Sequence, residues 1–294
     1  MGWLDWILDP LAYGFMWRGL LAALMVGVLC SVLGTYVILQ GMAFFGDALA
    51  HAILPGVVIA YLAGWPLALG ALVFGVITAV GIGALSHRGQ IREDTAIGII
   101  FAGSFALGVA LLSTVRSYAV DLAHILFGDV LGVSPTDLWF TFGLGALVLL
   151  IVFALYKEIL VLAFDPTLAV VLRLPATFLR YLMLVLIAVT IVVSLQTVGV
   201  ALVLAMLVTP AAAAQLLTRR LPSMMAVAAL IGAFSNVTGL YLSYYVNVAS
   251  GPAMVLVATA IFLLAFTFAP RRGLLWQMAR RRRALGTALS SQSS

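Results

Sequence analysis

Charge is what this sequence has least of. Ten acidic and fifteen basic residues in 294 leave it 9% charged and 65% hydrophobic, with a mean hydropathy of +1.22. Soluble domains are roughly a quarter charged, so a water-soluble globular fold is excluded. Lysine occurs once, as Lys157 between Tyr156 and Glu158. A phosphate-binding P-loop needs its Gly-Lys-Ser/Thr ending so that the lysine reaches the phosphates. This chain therefore cannot carry that kind of nucleotide site, and if ATP drives it, a separate subunit hydrolyses it. Glutamate occurs only at 93 and 158, and no His–Glu pattern of a metalloprotease helix is present. The single cysteine, Cys30, cannot form an intrachain disulfide and says nothing about redox compartment. No basic residue precedes Arg18, while Asp5 and Asp9 do, which is unlike a cleavable signal peptide. The first hydrophobic segment is expected to stay in the mature protein.

What is abundant is long uncharged sequence. A bilayer core takes about 20 apolar residues per helical span, and uncharged runs cover 19–46, 48–86, 95–115, 138–156, 181–218 and 221–270. Three of these are too long for one crossing. Gly64-Trp65-Pro66, Gln196-Thr197-Val198-Gly199 and residues 247–252 supply the expected breaks. The expectation is an all-α polytopic membrane protein with about eight to nine transmembrane helices, forming one domain over 1–273 followed by a basic tail, 274–294. The segment 42–56, interrupted by Gly46 and Pro55-Gly56, is not expected to cross as a simple helix.

Basic residues gather in four places: Arg88 and Arg92; Lys157, Arg173 and Arg180; Arg219 and Arg220; Arg271, Arg272 and Arg280 to Arg283. The positive-inside rule puts all four on the cytoplasmic side, with two crossings between consecutive groups. The C-terminus is then cytoplasmic and the N-terminus outside. The loop 116–137 carries Arg116 against Asp121, Asp129 and Asp137 and fits the outer face. The net charge of +5 sits in short loops and one tail, so it is no nucleic-acid signal. The arginine-rich tail beside Trp276 reads as an anchor on anionic lipid headgroups.

Within this apolar background, Asp47 and His51 lie four residues apart. An ionised carboxylate at bilayer depth costs at least ~2.5–3.5 kcal/mol, and in a helix positions i and i+4 share a face. A carboxylate and an imidazole suit Mn(II), Fe(II) or Zn(II) better than soft Cu(I). The pair reads as a metal-ion station part-way across the membrane, against two alternatives, a self-neutralising salt pair and a proton relay. Two ligands do not fill a metal's shell, and a two-fold dimer would supply four. Asp121, His124 and Asp129 form a second polar cluster, a further metal contact or simply an interfacial group. Arg92-Glu93-Asp94-Thr95 precedes an uncharged run, so Asp94 or Thr95 is expected to cap a helix. Phe164-Asp165-Pro166 and the stretch from Thr209-Pro210-Ala211 to Arg219-Arg220 are expected to form cytoplasmic docking helices.

These stretches, taken in order with Met42 to Gly56, Arg92 to Gly98, His124 to Pro135, Ser194 to Gly199 and Tyr241 to Pro252, resemble the zinc/manganese/iron permease family of bacterial ABC-type importers. The resemblance covers about residues 15–273 and implies a type II ABC importer permease, related in fold to vitamin B12 and siderophore permeases, in the bacterial cytoplasmic membrane. It implies Asp47 and His51 as contacts of the transported divalent ion (manganese, zinc or iron), with no permanently bound cofactor. It implies a permease dimer, an ATP-binding cassette subunit docked through Pro210, Ala211, Arg219, Arg220, Asp165 and Pro166, and an extracytoplasmic metal-binding protein. The tail beyond Gly273 departs from the family's short C-terminus. Two other classes compete. A proton-coupled secondary metal transporter without an ATPase partner would show inverted repeats, and none is found. An intramembrane hydrolase would need a Ser or Cys at helical spacing from His51, which is missing.

Overall fold

The computed structural model describes residues 9–87, 91–114, 130–164 and 166–269. Within them the chain is helical throughout, as α1 (Gly14–Leu39), α2 (Phe45–Ala52), α3 (Leu54–Ala63), α4 (Leu67–His87), α5 (Glu93–Ser113), α6 (Pro135–Ala154), α7 (Tyr156–Phe164), α8 (Pro166–Val171), α9 (Ala176–Val198), α10 (Val200–Leu217), α11 (Leu221–Val246) and α12 (Ser250–Phe268). Among the described residues, eight spans are long and apolar enough to cross a membrane, with α2 and α3 together making one of them. The apolar stretch of α10, Leu202–Leu217, is shorter and makes the ninth of the expected helices.

All three expected breaks are real, and each is set by backbone conformation. Gly64 ends α3 at φ +69°, Gly199 separates α9 from α10 at φ +84°, and Asn247 ends α11 at φ +55°. These left-handed positions suit glycine and asparagine. The segment around Asp47 differs from expectation in one respect. Only the Pro55 break appears: α2 gives way to α3 at Ile53, with proline in the first turn of the new helix, where its missing N–H costs nothing. Gly46 lies inside α2, buried, where a Cβ would press on Leu204 and Leu207 of α10. It is a packing glycine, not a hinge.

The helix α1 is the hub, packing on α6, α9, α10 and α11 and burying Val26, Leu33, Tyr36 and Val37. In lipid, helices associate through close van der Waals fit and interhelical hydrogen bonds, because hydrocarbon tails are as apolar as leucine. Small residues provide that fit here. A Cβ on Gly34 would overlap the carbonyl oxygen of Leu207 in α10, and a Cβ on Gly56 in α3 would overlap that of Gly70 in α4. Between α1 and α11, Asn236 Nδ2 donates to the Ala23 carbonyl at 2.5 Å. The start of α6 is closed by a capping box: the Asp137 N–H donates to Ser134 Oγ at 3.2 Å, and the Ser134 N–H to Asp137 Oδ2 at 3.1 Å.

Neither Asp94 nor Thr95 caps α5. The helix begins earlier, with Arg92 as its N-cap and no side-chain cap bond. Glu93 is the residue with a partner: its carboxylate pairs with Arg180 of α9, and Arg180 also donates to Ser86 Oγ of α4 at 3.2 Å. This junction ties the ends of α4, α5 and α9 together. Both partners are a third exposed, so solvent screens the pair and a double-mutant cycle of Glu93→Gln with Arg180→Gln should give a coupling below about 1 kcal/mol. Thermal unfolding of the four proteins in detergent measures it; a coupling several times larger would mean that the junction is a principal clamp of the bundle.

Candidate metal path

Asp47 falls in the first turn of α2 and His51 in its last. That order suits the helix macrodipole, with the acid near the positive end and the imidazole near the negative one. The rest of α2 is fixed inward: Phe45, Leu49 and Ala52 are fully buried, against α4, α5, α9 and α10. Helical periodicity then turns Phe44, Asp47, His51 and Leu54 to the other face. Phe44 is exposed and Leu54 half-buried, while Asp47 is 50% and His51 30% exposed. The two polar side chains are thus held by a rigid helix yet open to whatever passes that face.

Asp47 Oδ1 and His51 Nε2 are 3.5 Å apart, longer than a good hydrogen bond. Ligand bonds of about 2.0–2.2 Å to a tetrahedral ion set neighbouring donor atoms roughly 3.4 Å apart. The pair stands close to that separation, with both donor atoms on the open face of α2. No group of three or more His, Cys, Asp or Glu side chains suited to a metal occurs among the described residues. Two donors from one chain hold an ion weakly, which suits an ion that must leave again.

The imidazole of His51 has aromatic neighbours that no sequence pattern singles out. The rings of Phe101 and Phe105 on α5 lie 6.1 and 6.0 Å from it, the second edge-on, and stack on each other at 5.9 Å. They sit in an uncharged run where nothing distinguishes them from lipid-facing phenylalanines. Beside His51 opens an apolar cavity of about 230 Å³, lined by Leu54, Val57, Phe105, Leu195 and Val200. An apolar wall of this kind limits water around a bound ion and so tunes how tightly it is held.

The other expected site residues fare differently. Asp121, His124, Asp129 and Asp165 lie outside the described residues, as does the tail 274–294. Pro166 opens α8. Pro210 and Ala211 are buried inside α10, and Ala211, completely buried, packs against Gly34 of α1. Within the single chain they present little surface, so their expected contact with a cassette subunit stays a proposal. Arg219 and Arg220, in the turn between α10 and α11, are exposed.

Residues 12–269 match the family model described as the ABC 3 transport family. The chain is 48% identical over 274 residues to the manganese transport system membrane protein MntC of Halalkalibacterium halodurans, covering 93% of this chain and 94% of that protein. It is 41% identical to the chelated iron transport system membrane protein YfeD of Yersinia pestis, over 89% of this chain and 88% of that protein. Among solved structures, PsaBC from Streptococcus pneumoniae in complex with Fab superposes with a TM-score of 0.81 at 39% identity, covering 92% of this chain and 97% of that one. An inward-facing putative metal-chelate type ABC transporter shares the fold, with a TM-score of 0.71 at 16% identity and 90% of both chains covered.

Proposed function

The chain belongs to the ABC 3 transport family, and from that premise we propose that it is the membrane-spanning permease subunit of an ATP-driven importer of divalent transition-metal ions, manganese first, with iron and zinc as the other candidates. It is a multi-pass membrane permease of an ABC transporter. The observation that carries the metal reading is the placement of the Asp47 carboxylate and the His51 imidazole together on the open face of α2, 3.5 Å apart. A relative named for manganese transport at 48% identity and one named for chelated iron at 41% support the substrate class. A proton-coupled secondary carrier is not favoured by a family match to ABC transport.

In the proposed cycle an extracytoplasmic metal-binding protein delivers the ion, and two permease chains related by a two-fold axis bring their Asp47–His51 pairs to one path. The ion exchanges water for these donors and leaves toward the cytoplasm. ATP is hydrolysed by separate cassette subunits, because a chain whose only lysine is Lys157 has no P-loop. The charge pattern supports a cytoplasmic C-terminus in the bacterial inner membrane. Of the cytoplasmic surfaces, the exposed Arg219–Arg220 turn is the docking element we favour.

Co-reconstitution tests this reading. Proteoliposomes holding the permease, its cassette subunit and its binding protein should accumulate radioactive manganese only with ATP, and uptake that survives omission of the cassette subunit would overturn it. Charge reversal at both Arg219 and Arg220 should lower the transport-stimulated ATPase rate several-fold while leaving membrane insertion unchanged. An unaltered ATPase rate would move the docking surface elsewhere.

A further inference from the structure

Away from the metal path, α1 and α6 start at the same end of the bundle and run side by side, with Gly145 of α6 against Leu29 of α1. Between them runs a trough. Its outer part, about 650 Å³, is lined by Leu21, Met25, Leu138, Trp139 and Phe142, with Arg18 at its edge. Its inner part, about 300 Å³, continues from the shared Met25 and Phe142 to Leu29, Gly145, Ala146 and Leu149. We propose that this trough binds one acyl chain of an anionic phospholipid, whose phosphate is held by Arg18.

Three features support this occupant. The first is length. Arg18 to Leu29 covers about 16 Å of helix at 1.5 Å per residue, and one leaflet's share of a ~30 Å hydrocarbon core is about 15 Å. A chain anchored at Arg18 would therefore end where the trough ends. The second is the level of the mouth. Trp139 is 74% exposed beside Arg18, and Tyr13 and Trp17 are exposed near the start of the same helix. Tryptophan and tyrosine gather at the headgroup level of a bilayer. The third is charge. Among the described residues Arg18 has no ion-pair partner; the acid–base contacts there are the Asp47 carboxylate with the His51 imidazole and Glu93 with Arg180. A guanidinium forks onto phosphate oxygens with two parallel hydrogen bonds, and it is half-buried at the edge of an otherwise apolar surface. A zwitterionic headgroup brings its own ammonium to the same phosphate, so a headgroup of net negative charge is the better match.

The test is native mass spectrometry of the transporter complex released from nanodiscs of phosphatidylethanolamine and phosphatidylglycerol in equal parts. The wild-type permease should retain phosphatidylglycerol in preference to phosphatidylethanolamine. Arg18→Gln should reduce that retained fraction about tenfold, the loss expected for one strong charge-assisted contact, and Arg92→Gln should leave it unchanged. Ala146→Phe fills the trough from an exposed position and should reduce retention of both lipids without unfolding the protein. A photo-reactive benzoylphenylalanine at position 142 should label lipid. Equal retention of the two lipids, an Arg18→Gln variant indistinguishable from wild type, or labelling at 142 that joins two protein chains would each overturn the proposal.

Discussion

Manganese uptake should fall by at least about a hundredfold when Asp47 becomes asparagine, with the protein still inserted and folded. The substitution keeps the side chain's shape and one acceptor oxygen but deletes the charge. Losing even an outer partner of a metal ligand typically costs roughly 10–100-fold in affinity or activity, and here half of the donor pair supplied by the chain is altered. Folding should not suffer, because Asp47 is half exposed and makes no tight hydrogen bond to His51. Removing an intramembrane charge also lowers the insertion cost. His51→Ala should be equally inactive. If the pair served only to neutralise itself, Asp47→Asn would transport almost normally, and radioactive manganese uptake in proteoliposomes separates the two outcomes.

The largest effect on stability should come from Gly34. Even alanine puts a Cβ into the carbonyl oxygen of Leu207, and backbone on both sides leaves no flexible side chain to yield. Overpacking a core costs about 1–3 kcal/mol and occasionally more; a backbone overlap at the central crossing of α1 and α10 belongs at the upper end. Gly34→Ala should lose most of its folded, monodisperse yield and unfold at a markedly lower temperature. Gly143→Ala is the control, since a Cβ there meets nothing within 4 Å. Relieved of glycine's entropy cost, that variant should be unchanged or more stable by up to about 1 kcal/mol. Equal behaviour of the two variants would show that the α1–α10 crossing adjusts freely.

The membrane architecture was legible because charge is so scarce. Each uncharged run maps onto spans, and Gly64, Gly199 and Asn247 mark real turns, since a left-handed backbone selects those residue types whatever surrounds it. Asp47 and His51 were legible for the same reason, as polar groups where lipid tolerates few. Phe101 and Phe105 were not. An aromatic residue in an apolar run gives one signal whether it faces lipid, the core or a histidine, and only the crossing of α5 over α2 tells these apart. The Glu93–Arg180 pair joins residues far apart in sequence, so a local capping reading of Asp94 and Thr95 missed it. Pro210 and Ala211 show another limit of local reading. The stretch from Thr209 to Arg220 reads as a docking helix of its own, yet Pro210 and Ala211 lie inside α10, where Ala211 packs against Gly34 of α1. Gly46 repeats that lesson in α2.

The most direct measurement is electron spin-echo spectroscopy of Mn(II) bound to the reconstituted transporter. If the ion rests on Asp47 and His51, the echo carries the nuclear modulation of a coordinated imidazole nitrogen. That signal disappears in His51→Gln, while Phe101→Leu, which leaves both donors in place, retains it. Mn(II) bound along the path with no nitrogen coupling, or a nitrogen signal that persists in His51→Gln, would contradict the assignment.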